Sequence, residues 1–174
     1  MSLFYCQRWN NRFDKPIKQI TAEEAERRHR AGEPYAVAPQ TGDSARADRS
    51  IELALRSGHV RVYFYDEYGR VSFLYIFSPR GEKLFLGGIV SYDYGEAAEY
   101  LGMSQSVRVQ KDEYWPEGTG LRTVQDERTG ESFQQELFLA EGQSFDDYWE
   151  QVPAFGDYAS IARAERSKPP IPFG

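Results

Sequence analysis

The chain is expected to fold as a single α+β domain, an antiparallel sheet of five to seven strands with helices packed against it. Three observations carry that expectation. Between Val60 and Tyr94 the segment VRVYFYDEYGRVSFLYIFSPRGEKLFLGGIVSYDY holds ten aromatics in thirty-five positions, strand-forming residues interrupted by turn-formers. Its internal connections, Asp66-Glu-Tyr-Gly69 and Ser78-Pro-Arg-Gly81, are too short for anything but antiparallel hairpins. Segments with helical spacing lie before and after this meander instead of alternating with strands, which excludes a parallel α/β order.

Ser2 to Trp9 (SLFYCQRW) reads as a first strand, ended by Asn10 and Asn11. Thr21-Ala-Glu-Glu24 is a capping box, since the Thr21 hydroxyl can accept a backbone N–H three residues on while Glu24 reaches back. The helix it opens runs to Ala31, is stopped by Gly32 and Pro34, and is charged almost all round, which places it on the surface. A second helix is predicted over Ala45 to Ser57, where Ala47, Ile51, Ala54 and Leu55 make one apolar stripe and Gly58 ends it.

The central meander, residues 59–92, comprises strands at His59 to Tyr65, Val71 to Phe77 and Lys83 to Tyr92. The middle one is apolar on both faces, so it should be central and covered on both sides. Gly87-Gly88 marks a bulge or bend. After a short helix or turn over Gly95 to Gly102 come a strand at Ser104 to Lys111, a loop at EYWPEGTG (113–120), and a hairpin of Leu121 to Asp126 with Ser132 to Ala140. Ser144-Phe-Asp-Asp147 caps a short helix ended by Pro153, and Asp157 to Arg166 forms a last helix with Tyr158, Ile161 and Ala162 inward. The domain spans residues 1–167, and KPPIPFG (168–174) is an extended Pro-rich tail.

Composition narrows the class of protein. A chain of 174 residues with 40% hydrophobic and 15% aromatic content is not disordered, and a mean hydropathy of −0.66 with 28% charged residues argues against a membrane protein. The N-terminal MSLFYCQRWNNRFDKP lacks the basic and apolar regions of a signal peptide, and a lone Cys6 forms no internal disulfide. A cytoplasmic location is expected.

The chemical candidates are few. His29 sits among cations in Arg27-Arg-His-Arg30, and His59 follows a helix-ending glycine. No HExxH, CxxC, phosphate-binding glycine loop or nucleophile elbow occurs, so no catalytic residue, metal or cofactor is expected. Cys6 lies mid-strand, where a small buried hydrophobe is the ordinary reading. The strand aromatics could stack bases, but few Lys and Arg accompany them and the chain is acidic, which argues against nucleic acid. YDEYGR and SYDYGE are similar to tyrosine-aspartate repeats of toxin-carrying shells, yet two copies build no shell and they read as hairpin turns.

Charge is unevenly distributed. Residues 1–61 carry eleven Lys/Arg against eight Asp/Glu, whereas residues 112–150 carry eleven acids against only Arg122 and Arg128. Such a stretch attracts a basic protein partner and repels nucleic acid and membrane surfaces. The candidate contact residues are Glu113, Tyr114, Trp115, Glu117, Asp126, Glu127, Asp146, Asp147 and Trp149, the charges steering and the aromatics anchoring.

A small acidic α+β domain with an aromatic meander and no catalytic constellation resembles, in organisation, the bacterial immunity proteins that neutralise polymorphic or contact-delivered toxins. The resemblance implies a non-enzymatic inhibitor that occludes the basic active-site surface of a cognate toxin domain. Two alternatives stand beside it. One is a small-molecule-binding domain or enzyme with a pocket lined by Tyr63, Tyr75 and Tyr92; the other is an adaptor whose Pro-rich tail docks on a partner.

Overall fold

The structure, a computed structural model, describes residues 3–39, 46–139 and 141–166. Eleven strands form one antiparallel sheet: β1 (Leu3–Asn10), β2 (Lys15–Gln19), β3 (Tyr35–Pro39), β4 (Arg49–Ala54), β5 (His59–Tyr65), β6 (Val71–Arg80), β7 (Lys83–Asp93), β8 (Arg108–Trp115), β9 (Thr119–Asp126), β10 (Glu131–Phe138) and β11 (Trp149–Gln151). Their spatial order is β10-β9-β8-β7-β6-β5-β4-β3-β1-β2, with β11 beside β7. Among the described residues the single α-helix is α1 (Ala22–Ala31), supplemented by three short 3-10 turns.

This corrects the expected α+β class. The sheet has eleven strands instead of five to seven, and irregular chain covers it where packed helices were expected. The helix predicted over Ala45 to Ser57 is β4 followed by a 3-10 turn at Leu55–Ser57, with Ala45 outside the described residues. The apolar residues there fit two periods, because Ile51 and Leu53 also alternate with Ser50 and Glu52. Pairing with β3 on one side and β5 on the other decides for the strand. Asp157 to Arg166 forms turns instead of a helix, although Tyr158, Ile161 and Ala162 are buried as expected. Ser144 Oγ does accept the Asp146 N–H at 3.3 Å, but only the 3-10 turn Asp146–Tyr148 follows, and then β11. The predicted Pro-rich tail lies outside the described residues.

The meander itself matches its sequence reading. β5, β6 and β7 pair antiparallel in succession, and β6 lies fifth in the row of ten strands. Opposite β6, Ile76 faces Gly88 while Phe77 faces Leu86, so Gly87 is the extra residue of a bulge. There β7 changes partner on its other edge: β8 pairs with Gly88 to Asp93, and β11 pairs with Lys83 to Phe85. α1 also forms over the expected span, with Thr21 Oγ1 accepting the Glu24 N–H at 3.2 Å and Gly32 ending it at φ 67°, but the capping box is half made: the Glu24 carboxylate accepts from Arg27 at 2.8 Å and Arg28 at 2.7 Å instead of reaching back to the cap.

One face of the sheet carries the main core. Val60, Val62 and Phe64 of β5, Tyr75 and Phe77 of β6, and Leu84 and Leu86 of β7 meet Phe145, Tyr148, Tyr158 and Ile161 of the C-terminal segment. Polar contacts pin that segment down. Tyr75 OH donates to Ala164 O at 2.7 Å, and the buried Arg166 guanidinium pairs with Glu150 at 2.7 Å while lying over the Tyr75 and Phe77 rings. The opposite face is packed more thinly, in one cluster around Cys6, Trp9, Ala36 and Ala38 and another around Val71, Leu74 and Val90.

Candidate partner-binding surface

Strands β8, β9 and β10 extend past the core, and their alternation sorts the acidic stretch into two faces. On the core side, Tyr114 and Leu137 flank Gly120 in one cross-strand row. A Cβ at Gly120 would lie 2.6 Å from Glu113 O, so only glycine allows this close approach. One row along, Arg122 grips Asp112 through two bonds of 2.7 and 2.8 Å, and Tyr114 OH donates to the same carboxylate at 3.3 Å. Burial pushes the Tyr114 phenol well above its ordinary value.

The outer face is different. Trp115, Thr119 and Phe138 form one cross-strand row, and Glu113, Leu121 and Glu136 form the next. Trp115 is 39% exposed and Phe138 55% exposed. Between them runs an open groove of about 360 Å³ floored by Leu121 and bordered by Glu136, with Glu117 exposed in the adjoining turn. Two large aromatics on one sheet face, set two strands apart across Thr119 and edged by carboxylates, form a surface suited to an apolar contact with a basic surround.

The structure brings together only some of the residues expected to act as one surface. Glu113, Trp115 and Glu117 share this end of the outer face; Glu113 also pairs with Lys111 at 2.9 Å. Tyr114 is buried on the core side. Asp126 and Glu127 lie at the opposite end of the β8–β9 pair, seven residues or about 23 Å away. Asp126 is itself buried and organises its turn, accepting the Arg128 N–H at 2.9 Å; the Arg128 guanidinium holds its carboxyl below the usual range. Asp147 pairs with Arg163, Trp149 tilts against Phe85 at 4.9 Å, and Asp146 is exposed on the same C-terminal segment, so all three lie away from the outer-face row. The acidic run is also partly neutralised from outside, by Arg108, Lys111, Arg163 and Arg166. Phe138, Leu121 and Glu136 were not anticipated. The loop expected over 113–120 hid them: it is only the three-residue turn Pro116-Glu117-Gly118, and Glu113 to Trp115 are paired strand residues of β8 opposite Thr119 to Leu121 of β9.

No protein family, curated protein or solved structure matches this chain. The surface therefore rests on its own geometry.

The remaining chemical candidates have structural surroundings. Cys6 is buried, with its thiol pushed up to about 11 by burial, and is a poor nucleophile there. His29 Nδ1 lies 2.7 Å from Tyr35 OH, and burial lowers its pKa. Among the described residues no three His, Cys, Asp or Glu side chains cluster to hold a metal, and no helix is long and apolar enough to cross a membrane. Of the pocket tyrosines, Tyr63 and Tyr92 share the thinly packed face, whereas Tyr75 lies in the main core opposite. The three do not line one pocket.

Proposed function

We propose that this chain is a non-enzymatic, protein-binding module that covers a basic surface of its partner. The form of that function best matched to the surface is immunity, in which the module occludes the basic active-site cleft of a bacterial toxin domain in the cytoplasm. The observation that carries the reading is the paired exposure of Trp115 and Phe138 on the outer face of β8–β10, edged by Glu113, Glu117 and Glu136. Exposed aromatics are where interface energy concentrates, and a carboxylate rim selects cations around an apolar contact. The arrangement supplies affinity through apolar contact and charge preference through its carboxylates.

The test is co-expression in a bacterial host with candidate toxin domains encoded beside the gene. The wild-type chain should restore growth against its cognate toxin. A Trp115→Ala, Phe138→Ala double variant with unchanged circular dichroism should not. Rescue by the folded double variant, or no binding of the wild type to any of these domains, would contradict the proposal.

A further inference from the structure

The thinly packed face carries a second feature, independent of the outer surface of β8–β10. A cavity of about 210 Å³ lies between the end of β1, strands β4 and β5, and the chain at Tyr100 to Met103. That is many times the roughly 10–15 Å³ needed to hold one water. Trp9, Tyr63, Tyr65 and Tyr100 contribute aromatic lining, and Val71, Leu101 and Met103 aliphatic lining.

Its polar groups are matched to an ion of both signs. Glu52 stands on β4 facing this side, and the two contacts it makes, from Tyr63 OH at 3.1 Å and His59 Nε2 at 3.5 Å, both fall on Oε2. Beside it the Ser50 and Tyr65 hydroxyls are 2.5 Å apart; one donates to the other, which leaves one O–H and the remaining lone pairs for a ligand. Burial first, and then the negative charge of Glu52 and the neighbouring Tyr63 and Tyr100, holds the Tyr65 phenol well above its ordinary value. Arg61 stands opposite Glu52 on β5, and the acceptors that line the cavity itself, the Glu52 carboxylate and this hydroxyl pair, suit a cation.

The lining also offers donors. Trp9 is only 6% exposed, stacks on Phe4 at 5.9 Å, and its indole N–H is buried with no hydrogen-bond partner. Buried donors are nearly always satisfied in native proteins, so an orphan in a residue lining a cavity points to an acceptor supplied from outside. Arg8 lines the cavity beside it. A nucleotide would meet one arginine together with a carboxylate, and a neutral sugar would leave both charges unmatched.

We infer that this cavity binds a small zwitterion, a free α-amino acid in its simplest form. The ammonium sits on Glu52 and the Ser50–Tyr65 hydroxyl pair. The carboxylate accepts from the Trp9 indole and Arg8, and the side chain lies against Val71, Leu101 and Met103.

The test uses the full chain, the standard free L-amino acids and two sets of controls, N-acetyl amino acids and neutral monosaccharides. Binding is measured by calorimetry and by the indole N–H resonance of Trp9, identified by its loss in Trp9→Phe, a variant that keeps the ring stacked on Phe4. At least one free amino acid should bind saturably and shift that resonance. Its N-acetyl form should bind far more weakly, and Glu52→Gln should weaken the free form roughly tenfold or more. Absence of binding by every amino acid, equal binding of the acetylated form or a sugar, or binding that leaves the Trp9 resonance in place would each overturn the inference. None of these outcomes touches the β8–β10 surface.

Discussion

Replacing Trp115 by alanine should weaken partner binding by an amount the structure sets. With 39% of the side chain exposed, roughly 100 Å² of a large aromatic surface remains to be covered by a partner. At about 25 cal/mol per Å² that is about 2.5 kcal/mol, or roughly a sixty-fold rise in Kd. The loss should fall mainly on dissociation, as it does for most changes within one interface. The measurement is surface-based binding kinetics of the purified partner, with thermal unfolding to confirm the fold. Phe133→Ala is the control. Phe133 is 37% exposed on the same strand as Phe138, but its register places it with Val124 on the core-side alternation. An unchanged Kd for Trp115→Ala, or an equal loss for Phe133→Ala, would refute the assignment of the outer face.

Three further outcomes follow from the same geometry. Glu117→Lys with Glu136→Lys should slow association and flatten its salt dependence while leaving dissociation nearly unchanged, as stopped-flow mixing at low and high salt would show. Arg122→Ala strands the Asp112 carboxylate in a buried site and should destabilise the fold by about 3–5 kcal/mol in urea titration; adding Asp112→Asn should recover much of the loss. Cys6, buried and with its thiol at about 11, should react with a disulfide reagent at pH 8 only after denaturation, and fast labelling of the native protein would contradict its placement.

The legible part of the fold is the part governed by local rules. Short turns between β5, β6 and β7 and the double glycine in β7 announced the meander and its bulge, because hairpin length and strand alternation act over a few residues. β3 escaped notice because Tyr-Ala-Val-Ala-Pro has weak strand preference and becomes a strand only by lying buried between β1 and β4. The apolar residues around β4 satisfy a helical period equally well, so periodicity alone does not separate strand from helix there. The cover of the main core is hidden for a related reason. Tyr158, Ile161 and Ala162 show helical spacing, but what holds them is a set of long-range contacts, Arg166 with Glu150 and Tyr75 with Ala164 among them.

The candidate surface was legible to a similar degree. Trp115, Glu113 and Glu117 were found from composition, while the net charge of the acidic run misled. A count along the chain cannot see that Arg108 reaches Asp126 across a strand or that Arg163 and Arg166 return to Asp147 and Glu150 from the C-terminal segment. Cross-strand register, not charge density, separates the side chains that can meet a partner from those that hold the sheet together.

The most direct test of the central claim is photo-crosslinking from the strand that bears it. Benzoylphenylalanine placed at Phe138 or, separately, at Phe133 retains an aromatic ring at either site, and each protein is irradiated with the bound partner. A covalent adduct from position 138 and none from position 133 is the expected result. An adduct from 133 alone, or from neither while binding persists, would place the interface off the outer face of β8–β10 and contradict the account.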